Sequence, residues 1–408
     1  MKLVCAKPSD WWLPRIWALM LLALVAGTFP LWLGGRTVLA VPMIGSAANL
    51  PTLLHGLPMI VLVVACVVAV VGGRYVRCAW WCVALSLCLS FLLNQHRLQP
   101  WAYQSAIYAT VFATMDRLSA RRWLIPMAAS LYLYSGLGKL DYQFAHTVGQ
   151  DFLSAIALPR IGSPVDWFEH HTLAWLAFVL PACEAVIAVG LLIPKTRRFA
   201  GGLVILMHLT LLAILGPWNL GHSLGVLLWN TLLSIQAWFL FVVAPDEAQE
   251  AKTPNSKLTW IPISLLVVAI VMPTTERFGI WDHWPSWALY SPHNSRVDVE
   301  IHRSSSERLP DDIAIHLSDR DGDGWNRFDM AGWSLAKLRV PIYPQSRFQL
   351  AVASQLASEN GLGRSIRVIV RGVSNRRTGQ RTEQPLLGSR EIDVALDGYW
   401  LASPSIGN

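Results

Sequence analysis

Long apolar runs separated by short polar breaks fill the first 275 residues, and a shorter, two-residue alternation follows them. The apolar segments fall at roughly 16–33, 53–72, 78–94, 101–116, 123–140, 172–194, 199–216, 222–244 and 258–274. A hydrocarbon core about 30 Å thick needs about 20 apolar residues per helix, so the pattern predicts about nine transmembrane helices. In 276–408, the stretches 296–302 (RVDVEIH), 313–317, 347–352 and 365–372 (SIRVIVRG) alternate as strands do, with 390–396 a weaker fifth, and 325–340 reads as helix. The expected fold class is an α-helical polytopic membrane bundle over 1–275. A small extracytoplasmic β-rich domain, β or α+β, is expected over 276–408.

Composition sharpens this division. The chain is 53% hydrophobic and 14% charged, whereas a soluble domain carries about 25% charged residues. The deficit lies almost wholly in the first part, so two compositions in one chain point to two solvents. Basic residues between the apolar runs alternate. Lys2, Lys7 and Arg15 precede the first run, and Arg74 with Arg77 follows the second. Arg117, Arg121 and Arg122 follow the fourth, Lys195, Arg197 and Arg198 the sixth, and Lys252 and Lys257 precede the ninth. The intervening loops hold only Arg36, Arg97 and Arg160. The positive-inside bias then places the N-terminus in the cytoplasm of a multi-pass cell-membrane protein. Nine spans place the C-terminal domain outside; one span more or fewer reverses that.

Topology accounts for much of the formal charge of +7, so it does not point to nucleic acid. The first run is read as an anchor, because Trp11, Trp12 and Trp17 crowd its flank and no small-x-small cleavage site follows. Many of the 20 tryptophans fall at span ends, where an amphipathic ring suits the interface. Trp281, Trp284 and Trp287 read as a collar seating the last domain on the bilayer.

All six cysteines precede residue 184, so the last domain must stand without disulfides. Cys78 and Cys82 share a helical face, a spacing that small buried side chains explain better than a metal or redox pair, because a lone Cys-x3-Cys is a weak signal. Asp319, Asp321 and Asp323, followed by Gly324, match the opening of a calcium loop. The twelfth position is Met330 rather than a bidentate glutamate, so a polar turn competes with a metal site. There is no Gly-x-Ser-x-Gly, P-loop or His-Glu-x-x-His signature.

Charges inside apolar runs carry the most information, since each costs about 2.5–3.5 kcal/mol on insertion scales. Glu184 and His208 sit mid-run, Lys139 ends the fifth run with Asp141 two residues on, and His222 opens the eighth. On the topology above, Lys139, Asp141, His146, Asp151, Asn219 and His222 gather toward the outer leaflet, with Glu184 and His208 below them. Together they predict an outward-facing polar pocket in which Lys139, Glu184, His208, Asp141 and His222 are the candidate catalytic residues. A desolvated lysine can serve as a base and a histidine beside it can shuttle the proton. Taken singly, each could instead snorkel, pair or bond a neighbouring helix.

Tyr134-Ser-Gly-Leu-Gly-Lys-Leu-Asp, then Pro181-x-x-Glu184, Lys195-x-Arg197-Arg198 and His208 resemble the membrane core of HTTM proteins and vitamin K-dependent γ-carboxylases. The same residues are similar to those of DoxX/MauE-like membrane proteins. The resemblance covers about residues 75–245. It implies that Lys139 occupies the place of a catalytic base facing the exoplasmic side, and the DoxX/MauE likeness implies quinone-linked redox chemistry or support for maturing exported proteins. Two function classes stay open. One is a membrane-embedded enzyme or redox partner using a lipid-soluble cofactor such as a quinone. The other is a non-catalytic envelope protein whose bundle anchors an extracytoplasmic binding or assembly domain.

Overall fold

The computed structural model of the 408-residue chain describes residues 11–33, 39–48, 50–156, 162–243, 258–319, 322–399 and 401. Lys2, Lys7, Arg36, Arg160, Lys252, Lys257 and Cys5 lie outside the described residues. Helix forms over each of the nine apolar segments. In chain order these are α1 (Leu13–Gly27), α2 (Thr52–Val71), α3 (Val76–Leu93), α4 (Pro100–Thr114) and α5 (Arg117–Lys139). They continue with α6 (His170–Leu192), α7 (Arg197–Leu215), α8 (Leu224–Val242) and α9 (Trp260–Phe278).

Among the described residues, six of these helices are long and apolar enough to cross a membrane: α2, α3, α6, α7, α8 and α9. The other three fall short for different reasons. The α1 and α4 helices have 15 residues each, about 22 Å at 1.5 Å per residue. Pro100 starts α4 at a position where its missing N–H costs nothing, and every α4 residue but Tyr103 is buried, making it the central rod of the bundle. Helix α5 is long, but its first two turns carry Arg117, Arg121 and Arg122; Asp116 caps it through the amides of Leu118 and Ser119. Val64, Val71, Val186, Phe199 and Leu206 stand exposed on the outer helices, an apolar surface that water would not favour.

Polar contacts join the helices inside, as expected where apolar faces alone confer little specificity. Gln104 Nε2 donates to Gln236 Oε1, Trp229 Nε1 to Gln104 Oε1 and Trp17 Nε1 to Ser105 Oγ. Helices α5 and α6 approach closely because position 136 is glycine: a Cβ there would lie 2.6 Å from the Pro181 carbonyl oxygen and 3.3 Å from Glu184 Cβ.

The C-terminal region is mixed rather than mainly β. A five-stranded antiparallel sheet has the order β2-β3-β1-β4-β5. Its strands are β1 (Arg296–His302), β2 (Leu317–Asp319), β3 (Trp325–Phe328), β4 (Ile366–Arg371) and β5 (Glu383–Leu387). Helices α10 (Met330–Leu338), α11 (Ser346–Glu359) and α12 (Ser389–Asp397) accompany it. The expectations at 296–302 and 365–372 coincide with β1 and β4. Those at 347–352 and 390–396 are corrected to helix: over its full fourteen residues the first segment buries Phe348, Leu350, Val352 and Leu356 against β1 and β4, and six residues were too short a window to separate the two periods. Residues 313–317 form mostly a helical turn, and 325–328 are strand before α10 begins.

This region is no separate bead. One continuous apolar core runs from Leu13 in α1 to Leu396 in α12. The expected tryptophan collar is likewise corrected: Trp287 is wholly buried and Trp284 nearly so, the first tilted against Tyr103 of α4 and the second edge-to-face with Tyr343. Arg376 donates to the Leu137 and Leu140 carbonyls at the C-terminus of α5, and Ser291 Oγ donates to Gly138 O. These side chains satisfy helix-end carbonyls that otherwise have no partner. Arg97, expected in a loop, is buried, with its guanidinium on the Leu31, Trp32, Leu33 and His55 carbonyls.

Candidate functional site

Lys139 ends α5, where the C-terminal region docks. Its Nζ donates to Ser135 Oγ at 3.0 Å, one turn back on the same helix, and to Glu184 Oε1 on α6 at 2.7 Å. Both charged groups are buried. The close approach at Gly136 brings them together. Glu184 Oε2 has no hydrogen-bond partner among the described residues.

A second chain of hydrogen bonds runs beside this pair. Asn230 Nδ2 on α8 donates to the Val226 carbonyl, which turns its Oδ1 toward His208 Nδ1 on α7, 2.9 Å away. An amide oxygen can only accept, so Nδ1 carries a hydrogen, which leaves Nε2 of the neutral imidazole bare. Tyr132 O–H on α5, 3.0 Å away, therefore donates to Nε2.

Lys139, Glu184, Tyr132, Ser135, His208, His222 and Asn230 line one cavity of about 260 Å³. Most of the remaining wall is apolar, including Leu131, Phe152, Met207, Leu211, Trp229 and Leu233. The C-terminal region closes it: Trp284, Leu289 and Tyr290 come from the segment after α9, and Val340 and Pro341 from the turn after α10. His96 holds that turn, its buried Nε2–H donating to Pro341 O at 2.9 Å. Burial pushes the His96 imidazole down to about 4, against the opposing pull of that carbonyl. Tyr290 has φ 57°, a costly backbone for an aromatic residue, and its buried hydroxyl has no partner among the described residues.

Of the five candidate catalytic residues, four line the cavity and Asp141 does not. Asp141 is spent elsewhere: its Oδ1 caps the next helical turn through the Gln143 amide and its Oδ2 accepts from Arg277. His146, Asp151 and Asn219, expected nearby, are also outside the lining; His146 and Asn219 bond the carbonyls of Tyr142 and Ala155. Tyr132 and Ser135 escaped the sequence reading although they lie seven and four residues before Lys139 on one helical face. No local signal marks Tyr290, Val340 or Pro341, because tertiary docking alone brings them to the cavity.

The described carboxylates of the acidic loop bond groups of the protein. Asp319 Oδ1 accepts from the Gly322 amide, Asp323 Oδ1 from the Trp325 amide, and Asp323 Oδ2 pairs with Arg367; Asp321 lies outside the described residues. Cys66, Cys78, Cys82, Cys88 and Cys183 are free thiols.

Compared with protein-family models, curated proteins and solved structures, the chain has no match.

Proposed function

We propose that this chain is a multi-pass membrane protein whose cavity takes the polar head of a lipid-soluble molecule, a quinone or quinol being the foremost candidate. One observation carries the reading: a buried Lys139–Glu184 pair on the wall of a largely apolar cavity, with Glu184 Oε2 unused. A buried acceptor left without a donor costs about 1–3 kcal/mol, and a ligand hydroxyl would satisfy it. The partnerless Tyr290 hydroxyl offers a second polar contact. In this reading Glu184 holds the ligand's hydroxyl, Lys139 stabilises the oxyanion formed when that proton leaves, and Tyr132 with His208 relays protons. The resemblance to HTTM/carboxylase-like and DoxX/MauE-like proteins, with Lys139 at the base's position, belongs to the same proposal.

The orientation proposed is N-terminus in the cytoplasm and C-terminal region outside. It is supported by the placement of basic residues at the end of the bundle remote from that region. Arg15 of α1 sits against Gly72 beside Arg74 and Arg77, and Arg121 donates to Leu240 O near the end of α8. The alternative is a non-catalytic envelope protein whose bundle holds an extracytoplasmic binding or assembly domain. It is favoured by Lys139 and His208, whose side-chain nitrogens already have protein partners.

Titration of the nanodisc-embedded protein with a short-chain quinol separates the two. The proposal expects saturable one-to-one binding that the double variant Lys139→Met/Glu184→Gln weakens about tenfold or more. No binding by the wild-type protein, or equal binding by the variant, would overturn it.

A further inference from the structure

Behind the cavity wall, where α9 meets the C-terminal region, Glu276, His283 and His293 bring one carboxylate and two imidazole nitrogens within 4.8 Å of one another. All three side chains are buried. His283 Nδ1 lies 2.8 Å from Glu276 Oε1, and His293 Nε2 lies 3.0 Å from each Glu276 oxygen. Two ligands on one cation with bonds of about 2.0–2.1 Å stand about 3 to 3.4 Å apart, so small movements suffice to seat an ion.

The outer nitrogens of both rings are donors, which in a neutral ring frees the inner nitrogen for a cation. His283 Nε2 lies 2.9 Å from the Ser291 carbonyl, an acceptor only, so Nε2 must carry hydrogen. Ser291 Oγ spends its hydrogen on Gly138 O at 2.6 Å, so His293 Nδ1, 2.6 Å from that Oγ, must donate to it. Neutral imidazoles with those tautomers turn two lone pairs toward a carboxylate. Ligating histidines show this same outer arrangement, with the far N–H given to a carbonyl, carboxylate or water. Among the described residues, no lysine or arginine side chain is bonded to Glu276. The loop between the histidines is also held under strain, with Trp287 at φ 59° and Tyr290 at φ 57°.

We propose that Glu276, His283 and His293 bind a divalent first-row transition cation, with zinc as the working probe. The cation fastens the end of α9 to the segment carrying Trp284 and Tyr290, and so sets the cavity wall from behind. Two nitrogens and one oxygen suit zinc, cobalt or ferrous iron better than calcium or magnesium. This inference uses none of the side chains proposed to touch the cavity ligand, so either can fail alone.

The test uses the full chain in detergent, stripped with a chelator and dialysed. Cobalt(II) titration of wild type should give the visible absorption of a four- or five-coordinate nitrogen–oxygen site, saturating at one equivalent. Zinc should raise the melting temperature by about 3 °C or more. Ser291→Ala keeps all three ligands and should weaken cobalt affinity about 10- to 100-fold; Glu276→Gln should remove the absorption. The proposal is overturned if wild type binds no cobalt at micromolar concentration, or if Glu276→Gln binds it equally well.

Discussion

Two sets of ion pairs in this molecule use the same chemistry at opposite ends of the solvation scale. On the sheet, Asp298 meets Arg327 and Arg371, and Glu300 meets Arg367, on the face of β1 opposite buried Val297, Val299 and Ile301. Those arginines remain partly in solvent, and two of them reach a second carboxylate: Arg367 meets Glu300 and Asp323, and Arg371 meets Asp298 and Glu383. In the bundle, Lys139 and Glu184 have, among the described residues, only each other and Ser135, and one carboxylate oxygen is unspent. Exposed pairs add about 0–1 kcal/mol. A buried pair is weak support for stability, and removing one partner is severe. The ligand site proposed above would account for keeping a pair of the second kind where an apolar core would serve.

The largest expected effect follows from that asymmetry. Lys139→Met leaves the Glu184 carboxylate buried without its cation and should destabilise the bundle by about 3–5 kcal/mol. Adding Glu184→Gln should recover most of the loss, and thermal melts of the two singles and the double measure the coupling. If Lys139→Met costs no more than a surface change, the pair is not desolvated as described.

A middle-sized effect is expected from pH. Docked His96 has its affinity for protons lowered to about 4, whereas the unfolded chain has it near the ordinary 6.5. Below 6.5 the unfolded state therefore takes up a proton that the docked state refuses. The His96 contribution is complete above pH 6.5 and is lost progressively from 6.5 down to about 4. Melting temperatures between pH 8 and 4.5 should fall across that window, and His96→Gln should flatten the fall. The smallest effect belongs to the sheet: Arg327→Ala, which removes a half-exposed partner of Asp298, should cost less than about 1 kcal/mol and fade in high salt.

Helix positions in the bundle were legible because apolar runs and proline starts are local signals. The other three segments are helices as well, but α1 and α4 are short and α5 opens on three arginines, so length and composition do not mark them as spans. Strands β1 and β4 announced themselves by alternation, while α11 and α12 imitated it over a few residues. Lys139, Glu184, His208 and His222 were visible as polar groups in apolar runs, and their convergence followed from which ends of the helices meet. Asp141 looked equivalent, but a helix cap and Arg277 claim it. The roof from Trp284 to Pro341 was illegible, because it depends on two distant segments folding back over the end of the bundle. The Glu276–His283–His293 cluster was illegible for the same reason.

The most direct measurement is a high-resolution cryo-electron microscopy map of the wild-type protein purified into nanodiscs of native lipid. The account predicts density for an amphipathic molecule in the cavity, its polar head within hydrogen-bond distance of Glu184 Oε2 and the Tyr290 hydroxyl. A cavity holding only water, or a Glu184 carboxylate fully satisfied by protein groups, would contradict it.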